Sequence, residues 1–398
     1  MILAYIKRLP LSVRHTFHYD LRAAMLFGVF GGFFFPFMLI VGRKIGATDT
    51  EIALISAAPY ISNAFALLWA EDIFGKGRVW YVVWPNALGR AVLLGMFFIA
   101  APVSYTVLIF IYMVVTAIAF PSYAFIMKAN YPDNLRAALM SYVRIATALL
   151  WIASSALGGW FLEKDTFNFR YIFPLAGVFG VLSALQFGKI RVRREKVRRV
   201  MPLPFKALSL PLRDRPFLFF VLAYSLFEFA LLLAMPVYQL VLVDEAGISN
   251  MAAGIYGSVF SGMWLIGFFL WGRFLDGLEL KWSVAAISLT GCLVPLIYLL
   301  SRNIWALGAA AGVAGFLFAS TELAAYIVIT RLASHEDVPR YMAAAIAIGA
   351  LRGATAPFIG TAIYSSIGPS PVFALSLLTG LLAAIVSLRI RKESLKNP

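Results

Sequence analysis

The sequence predicts an all-α membrane protein with twelve transmembrane helices in two six-helix, pseudo-symmetric bundles, the N- and C-termini both cytoplasmic. Three observations predict it. The chain is 62% hydrophobic and 13% charged, with a mean hydropathy of +0.85; soluble domains carry about 25% charged residues, so this composition does not cover a water-facing surface. Apolar runs of about 20 residues, the length that crosses a bilayer core, recur twelve times. Lysine and arginine fall almost entirely on one side of those runs.

The runs lie near 21–42, 51–69, 79–101, 103–127, 137–162 and 168–188, then 216–243, 251–271, 283–301, 304–330, 341–365 and 371–388. Met1–Asp20 carries Lys7, Arg8, Arg14, His15 and His18 but leads to no small-residue cleavage site. The first run is therefore read as a retained span behind a polar tail. With the N-terminus inside, the cytoplasmic tails and loops hold 26 Lys and Arg and the external loops five: Arg43, Lys44, Lys164, Arg170 and Arg302. Arg90, Arg144 and Arg352 fall inside spans and complete the 34. That bias sets the orientation.

The stretch Lys189–Arg215 divides the chain into an N-terminal bundle (1–188), a basic linker (189–215) and a C-terminal bundle (216–398). It holds ten Lys or Arg against two acidic residues. A net charge of +15 would suggest nucleic acid on a soluble surface; here the block sits between two membrane bundles, and that partner is excluded. Lys189–Arg199 reads as a cap on the sixth span at an anionic inner leaflet. Val200–Arg215, interrupted by Pro202, Pro204 and Pro211, reads as a surface-lying amphipathic tether.

The halves echo one another. Gly46-Ala47-Thr48-Asp49 opens the second span and Gly247-Ile248-Ser249-Asn250 the eighth. Each is a turn followed by a helix cap, and Thr48 with Glu51 fits a capping box. Asp133-Asn134-Leu135-Arg136 enters the fifth span and Asp337-Val338-Pro339-Arg340 the eleventh, offsets of 201 and 204 residues that keep register. Two motifs with the same order and spacing indicate internal duplication.

Charges within a bilayer face a cavity or a partner. Glu228 lies roughly 18 Å along the seventh span and Glu322 about 14 Å along the tenth, at 1.5 Å per residue. Arg352 and Arg90 lie similarly deep in the eleventh and third spans, and Arg144 lies shallower in the fifth. Tyr224 precedes Glu228 by four and Tyr326 follows Glu322 by four, so in antiparallel helices each Tyr sits one turn cytoplasmic of its Glu on the same face. Such faces can bind a polar or cationic solute or exchange a proton; the plainer alternative is a hydrogen bond for packing. Arg352 is open to two uses, neutralising a glutamate or binding an anionic solute group. Tyr60 and Asn63 of the second span are further contact candidates. Arg90 reads mainly as a packing residue. The aromatic run Phe30–Phe37 includes a Gly pair for close helix approach and Pro36 for a kink.

With these features the chain resembles the major facilitator superfamily of secondary transporters, whose signature runs Gly-x-x-x-Asp-x-x-Gly-Arg-Lys/Arg after the second helix of each half. Gly272, Asp276 and Lys281 match it in the second half, while Glu279 and Leu280 replace the later Gly and Arg. In the first half Phe74 stands where the Asp belongs, so that copy is degenerate. The resemblance implies that the first, fourth, seventh and tenth helices line a central cavity, which puts Glu228 and Glu322 on cavity helices. It also implies a gating role for the signature loop through Asp276, Arg273 and Lys281, with Arg136 and Arg340 as second-line partners and Arg144 near an inner gate.

The implied function is alternating-access transport of a small organic solute, with protons as a candidate coupling ion. Efflux of lipophilic compounds is the alternative within transport. It is opposed by the fifth span, where only Gly158-Gly159 remain of the family's antiporter motif. A non-transporting scaffold or sensor on the same fold is the alternative outside transport. No phosphate-binding loop, no His-x-x-x-His pair and a lone Cys292 point away from ATP drive, a metal centre or a disulfide framework, so no cofactor and no enzyme activity are expected. The expected partners are the solute and a bilayer with an anionic inner leaflet. A monomer in the cell (inner) membrane is the expected form.

Overall fold

The computed structural model describes residues 10–73, 78–119, 126–127, 130–192, 215–332 and 338–390. Among the described residues, helix lies on each of the twelve predicted runs, the element on the fourth (103–127) reaching only to Ala117. α1 (Leu11–Phe34) and the short α2 (Met38–Lys44) share the first run; α3 (Asp49–Ile73), α4 (Arg78–Val92), α5 (Pro102–Ala117), α6 (Asp133–Lys164) and α7 (Phe169–Phe187) follow. After the linker come α8 (Arg215–Leu240), α9 (Asn250–Gly277), α10 (Leu280–Leu300), α11 (Ile304–Leu332), α12 (Val338–Ile367) and α13 (Pro369–Ser387). Among the described residues, nine helical stretches are long and apolar enough to cross a membrane. With no water to serve the backbone there, the helix is the form that satisfies every peptide group internally.

The first helix differs from the expected tail-then-span. It begins at Leu11, so His15 and His18 lie in its opening turns. The reason is burial: Val13 and Phe17 sink into a core with Ile126, Met127, Val143 and Phe187, and Pro10 starts the helix where its missing N–H costs nothing. The break between α1 and α2 falls at Phe35–Phe37, around Pro36.

The chain clusters into two compact units. The first holds Met1–Ala47, Phe65–Arg199 and Ser249–Ser258; the second holds Thr48–Ala64, Val200–Ile248 and Val259–Pro398. In the first, α1 packs on α6 and α7 while α4 packs on α5 and α7. Ser154 donates to the Gly28 carbonyl at 3.3 Å, and a column of Phe34, Tyr112, Phe173 and Tyr105 fills the centre. In the second, α8 packs on α12 and α13, and α10 on α11 and α13, around Phe217, Phe220, Phe227, Trp271 and Leu317.

The predicted repeat motifs share one geometry. Gly46 (φ 99°) and Gly247 (φ 56°) both take the left-handed conformation that an L side chain resists. The capping box forms: Glu51 Oε2 accepts the Thr48 N–H at 2.7 Å, and Thr48 Oγ1 accepts the Glu51 N–H at 3.3 Å. Ser249 Oγ caps Ala252 in the second copy at 3.1 Å. The next residue in each motif makes a tertiary bond. Asp49 accepts from Ser365 at the end of α12, and Asn250 donates to the Leu162 carbonyl at the end of α6. Offsets near 200 residues relate both members of each pair.

Candidate functional site

In the second unit, α8 presents Tyr224, Ser225 and Glu228 within one turn, and their three- and four-residue spacing keeps them on one face. Arg352 of α12 reaches that face. Its Nη1 donates to Ser225 Oγ at 2.6 Å, and its Nη2 donates to Glu228 Oε2 and completes an ion pair. The guanidinium carbon lies 5.9 Å from the centre of the Tyr224 ring. Tyr60 of α3 packs over Gly353, where a side chain on α12 would fill the space its ring occupies. The Arg352 and Glu228 side chains keep 11% and 21% of their surface, so the pair is largely but not wholly shielded.

This arrangement can change state. Guanidinium and carboxylate are held by charge-assisted hydrogen bonds that a low-dielectric surround strengthens. Among the described residues Arg352 Nε, like Arg90 Nε, is buried without an acceptor, so its fork is not fully engaged. A proton on Glu228 removes one of the two charges and releases Nη2 for another acceptor.

Thr321 and Glu322 on α11 lie at the edge of the cluster. The Tyr224 hydroxyl donates to the Thr321 carbonyl at 3.4 Å, and exposed Glu322 accepts from Trp264 Nε1 of α9 at 3.3 Å. Asn63 is half-buried on α3. The predicted set thus converges in part: Tyr60, Tyr224, Glu228 and Arg352 meet, and Glu322 adjoins Thr321, whose carbonyl Tyr224 reaches. Ser225, Thr321 and Trp264 had no signal of their own. Ser225 was findable only through its spacing from Glu228.

The predicted gating residues occupy several places. Arg273 is exposed at the end of α9, its guanidinium 4.5 Å above the Phe269 ring. Lys281 pairs with Glu279 at 2.9 Å. Arg136 donates to the Tyr131 carbonyl at 3.1 Å, and Arg144 is half-buried on α6. The side chains of Asp276, Arg340 and Tyr326 lie outside the described residues.

The first unit buries a different arginine. Arg90 of α4 donates to the Gly180 carbonyl of α7 at 2.8 Å and to Asn86 Oδ1 at 2.8 Å. Phe27 and Phe30 of α1 offer ring faces 5.1 and 5.3 Å from its guanidinium. Gly180 is required here, since a Cβ would sit 2.6 Å from Arg90 Cδ. Asp20, read from sequence as the end of a tail, is 2% exposed and accepts from the Tyr131 hydroxyl at 2.9 Å.

The sequence profile of the Major Facilitator Superfamily matches residues 21–279 and 220–398. No curated relative matches the chain by sequence. Among solved structures, the nucleoside transporter NupG superposes with a TM-score of 0.69 at 12% identity, over 94% of this chain and 98% of that one. A D-xylose-proton symporter gives 0.67 at 13%, over 94% and 97%. A bacterial homolog of the human lysosomal transporter Spinster gives 0.64 at 13%, over 96% and 95%. At such identities the likeness is one of fold.

Proposed function

The chain belongs to the Major Facilitator Superfamily, and we propose that it is a secondary transporter which moves a small organic solute by alternating access and couples that movement to protons. It is a multi-pass integral membrane protein. In this reading it has twelve spans, six in residues 1–188 and six in 216–398, joined by the cytoplasmic linker 189–215. Both termini are cytoplasmic, and the protein is a monomer in the cell membrane.

The observation that carries the reading is the Glu228–Arg352 pair with Ser225, Tyr224 and Tyr60 around it. A packing pair has no need of partly exposed side chains; a site that exchanges a solute group and a proton does. Intramembrane ionisable groups are functional by default, and the D-xylose-proton symporter among the fold relatives is in name a proton-coupled carrier. Phe30, Phe34 and Phe37 are wholly buried, so the most shielded rings of the aromatic run serve packing rather than efflux of lipophilic compounds.

The test is a thermal-shift screen of small organic solutes on the purified protein, followed by flux of each hit into proteoliposomes. Transport predicts at least one solute that stabilises the protein and crosses the membrane only where the protein is present. Hits that bind without crossing would favour a sensor on this fold.

A further inference from the structure

Each unit contains an open, apolar recess with one arginine at its rim. The larger, about 540 Å³, lies in the second unit among α9, α10 and α11, walled by Leu270, Trp271, Phe274, Ala286 and Phe316 with Arg273 at its edge. The polar groups in its wall are already satisfied: Trp271 Nε1 donates to the Phe316 carbonyl at 3.1 Å and Thr290 to the Ala286 carbonyl at 2.8 Å. A polar solute would find no hydrogen-bond partner there. Hydrocarbon would.

Arg273 is the exception. It is the last basic residue of α9, exposed, and among the described residues it meets the face of Phe269 but no carboxylate. In the proposed orientation, on which this inference rests, that end of α9 is at the inner leaflet. The first unit repeats the plan on a smaller scale: a recess of about 320 Å³ lined by Met25, Leu26, Val29 and Leu150, with Arg22 and Gln186 at its edge. Arg22, too, makes no ion pair among the described residues, and it lies midway along α1, at the start of the apolar run 21–42, on the same side in that orientation.

We propose that the α9–α10–α11 recess is a binding site for an anionic glycerophospholipid of the inner leaflet, with an acyl chain against Trp271, Ala286 and Phe316 and the phosphate on Arg273. The recess of the first unit is a weaker site of the same kind. The chemistry is that of a planar guanidinium, which bonds a phosphate through two parallel N–H donors, beside a surface that only an apolar chain fills. Attraction of a basic protein to an anionic leaflet is general; a single arginine joined to a chain-sized recess makes the attraction local and selective.

The experiment uses the full-length protein in phosphatidylcholine nanodiscs with and without phosphatidylglycerol, reading the lipid retained on detergent extraction and the unfolding temperature. Wild type is expected to retain phosphatidylglycerol preferentially and to unfold at a higher temperature when it is present. Arg273→Ala is expected to bind it about tenfold more weakly, the loss of one charge-assisted contact, and Arg273→Lys to recover part of that. Ala286→Phe fills the recess, leaves the charge in place and is expected to lose the retained lipid as well. Equal retention by Arg273→Ala and wild type would overturn the site. So would loss in Arg273→Ala with full retention in Ala286→Phe, since the phosphate would then bind without a seated chain. Competition by free phosphate equal to that by the lipid would overturn it too. None of these readings involves flux, so they stand apart from the test of transport.

Discussion

Arg90 and Arg352 each lie twelve residues past another arginine, deep in their helices, yet their surroundings differ in kind. Arg90 is held by a backbone carbonyl, a neutral amide and two phenylalanine faces. None of those partners can gain or lose a proton near neutral pH. Arg352 is held by a carboxylate, a hydroxyl and the edge of a tyrosine cluster, and part of its side chain remains open. A buried charge with fixed partners can only hold its place; one with a titratable partner, as in the proposed Glu228–Arg352 site, can switch. The difference lies in the neighbours, not in the arginine.

Breaking the switch should have the largest effect. Arg352→Ala strands Glu228 and should lower stability by about 3 kcal/mol, the lower end for a buried pair that loses one partner, because both side chains retain some exposure. Thermal unfolding in detergent would show this, together with loss of flux. Replacing both members, Glu228→Leu with Arg352→Met, should restore most of that stability, since an apolar pair of similar size is tolerated, without restoring flux. Recovery of both would make the pair structural and erase its contrast with Arg90. Arg90→Met should cost about 1–3 kcal/mol by removing the donors to the Gly180 carbonyl and to Asn86 Oδ1. Whatever protein folds should transport with an unaltered response to a pH gradient. The smallest effect should come from Thr48→Ala, which removes one cap of α3 and costs about 1 kcal/mol, with no change in solute specificity.

Much of this was legible in the sequence because bilayer solvent leaves so few solutions. Length and apolarity located the apolar helices, nine of them long enough to span among the described residues, and the Gly-x-Thr-Asp and Gly-x-Ser-Asn turns marked the repeat. Their glycines do take positive φ. Pro36 marked the break after α1. Glu228 and Arg352 stood out because charge is costly at that depth. That Arg352 pairs with Glu228, one of two open alternatives, was not legible, because it depends on how α8 and α12 are rotated. Ser225 and Trp264 escaped notice since a neutral polar residue in an apolar helix is ordinary. Asp20 was misplaced for a different reason. The helix extends ten residues before the apolar run, carried by the burial of Val13 and Phe17, and a hydropathy boundary does not see such packing.

The central claim is that the Glu228 carboxyl is the group through which solute movement feels the proton gradient. It is tested most directly by Glu228→Gln, which keeps the size and hydrogen-bonding capacity of the side chain but cannot exchange a proton. With Glu322→Gln alongside it, flux into proteoliposomes is measured with and without an imposed pH gradient. The account predicts that Glu228→Gln still carries solute down its own gradient and no longer responds to the pH difference. If Glu228→Gln follows the pH gradient as wild type does, the coupling assigned to this site is wrong; Glu322→Gln then shows whether the other carboxyl carries it.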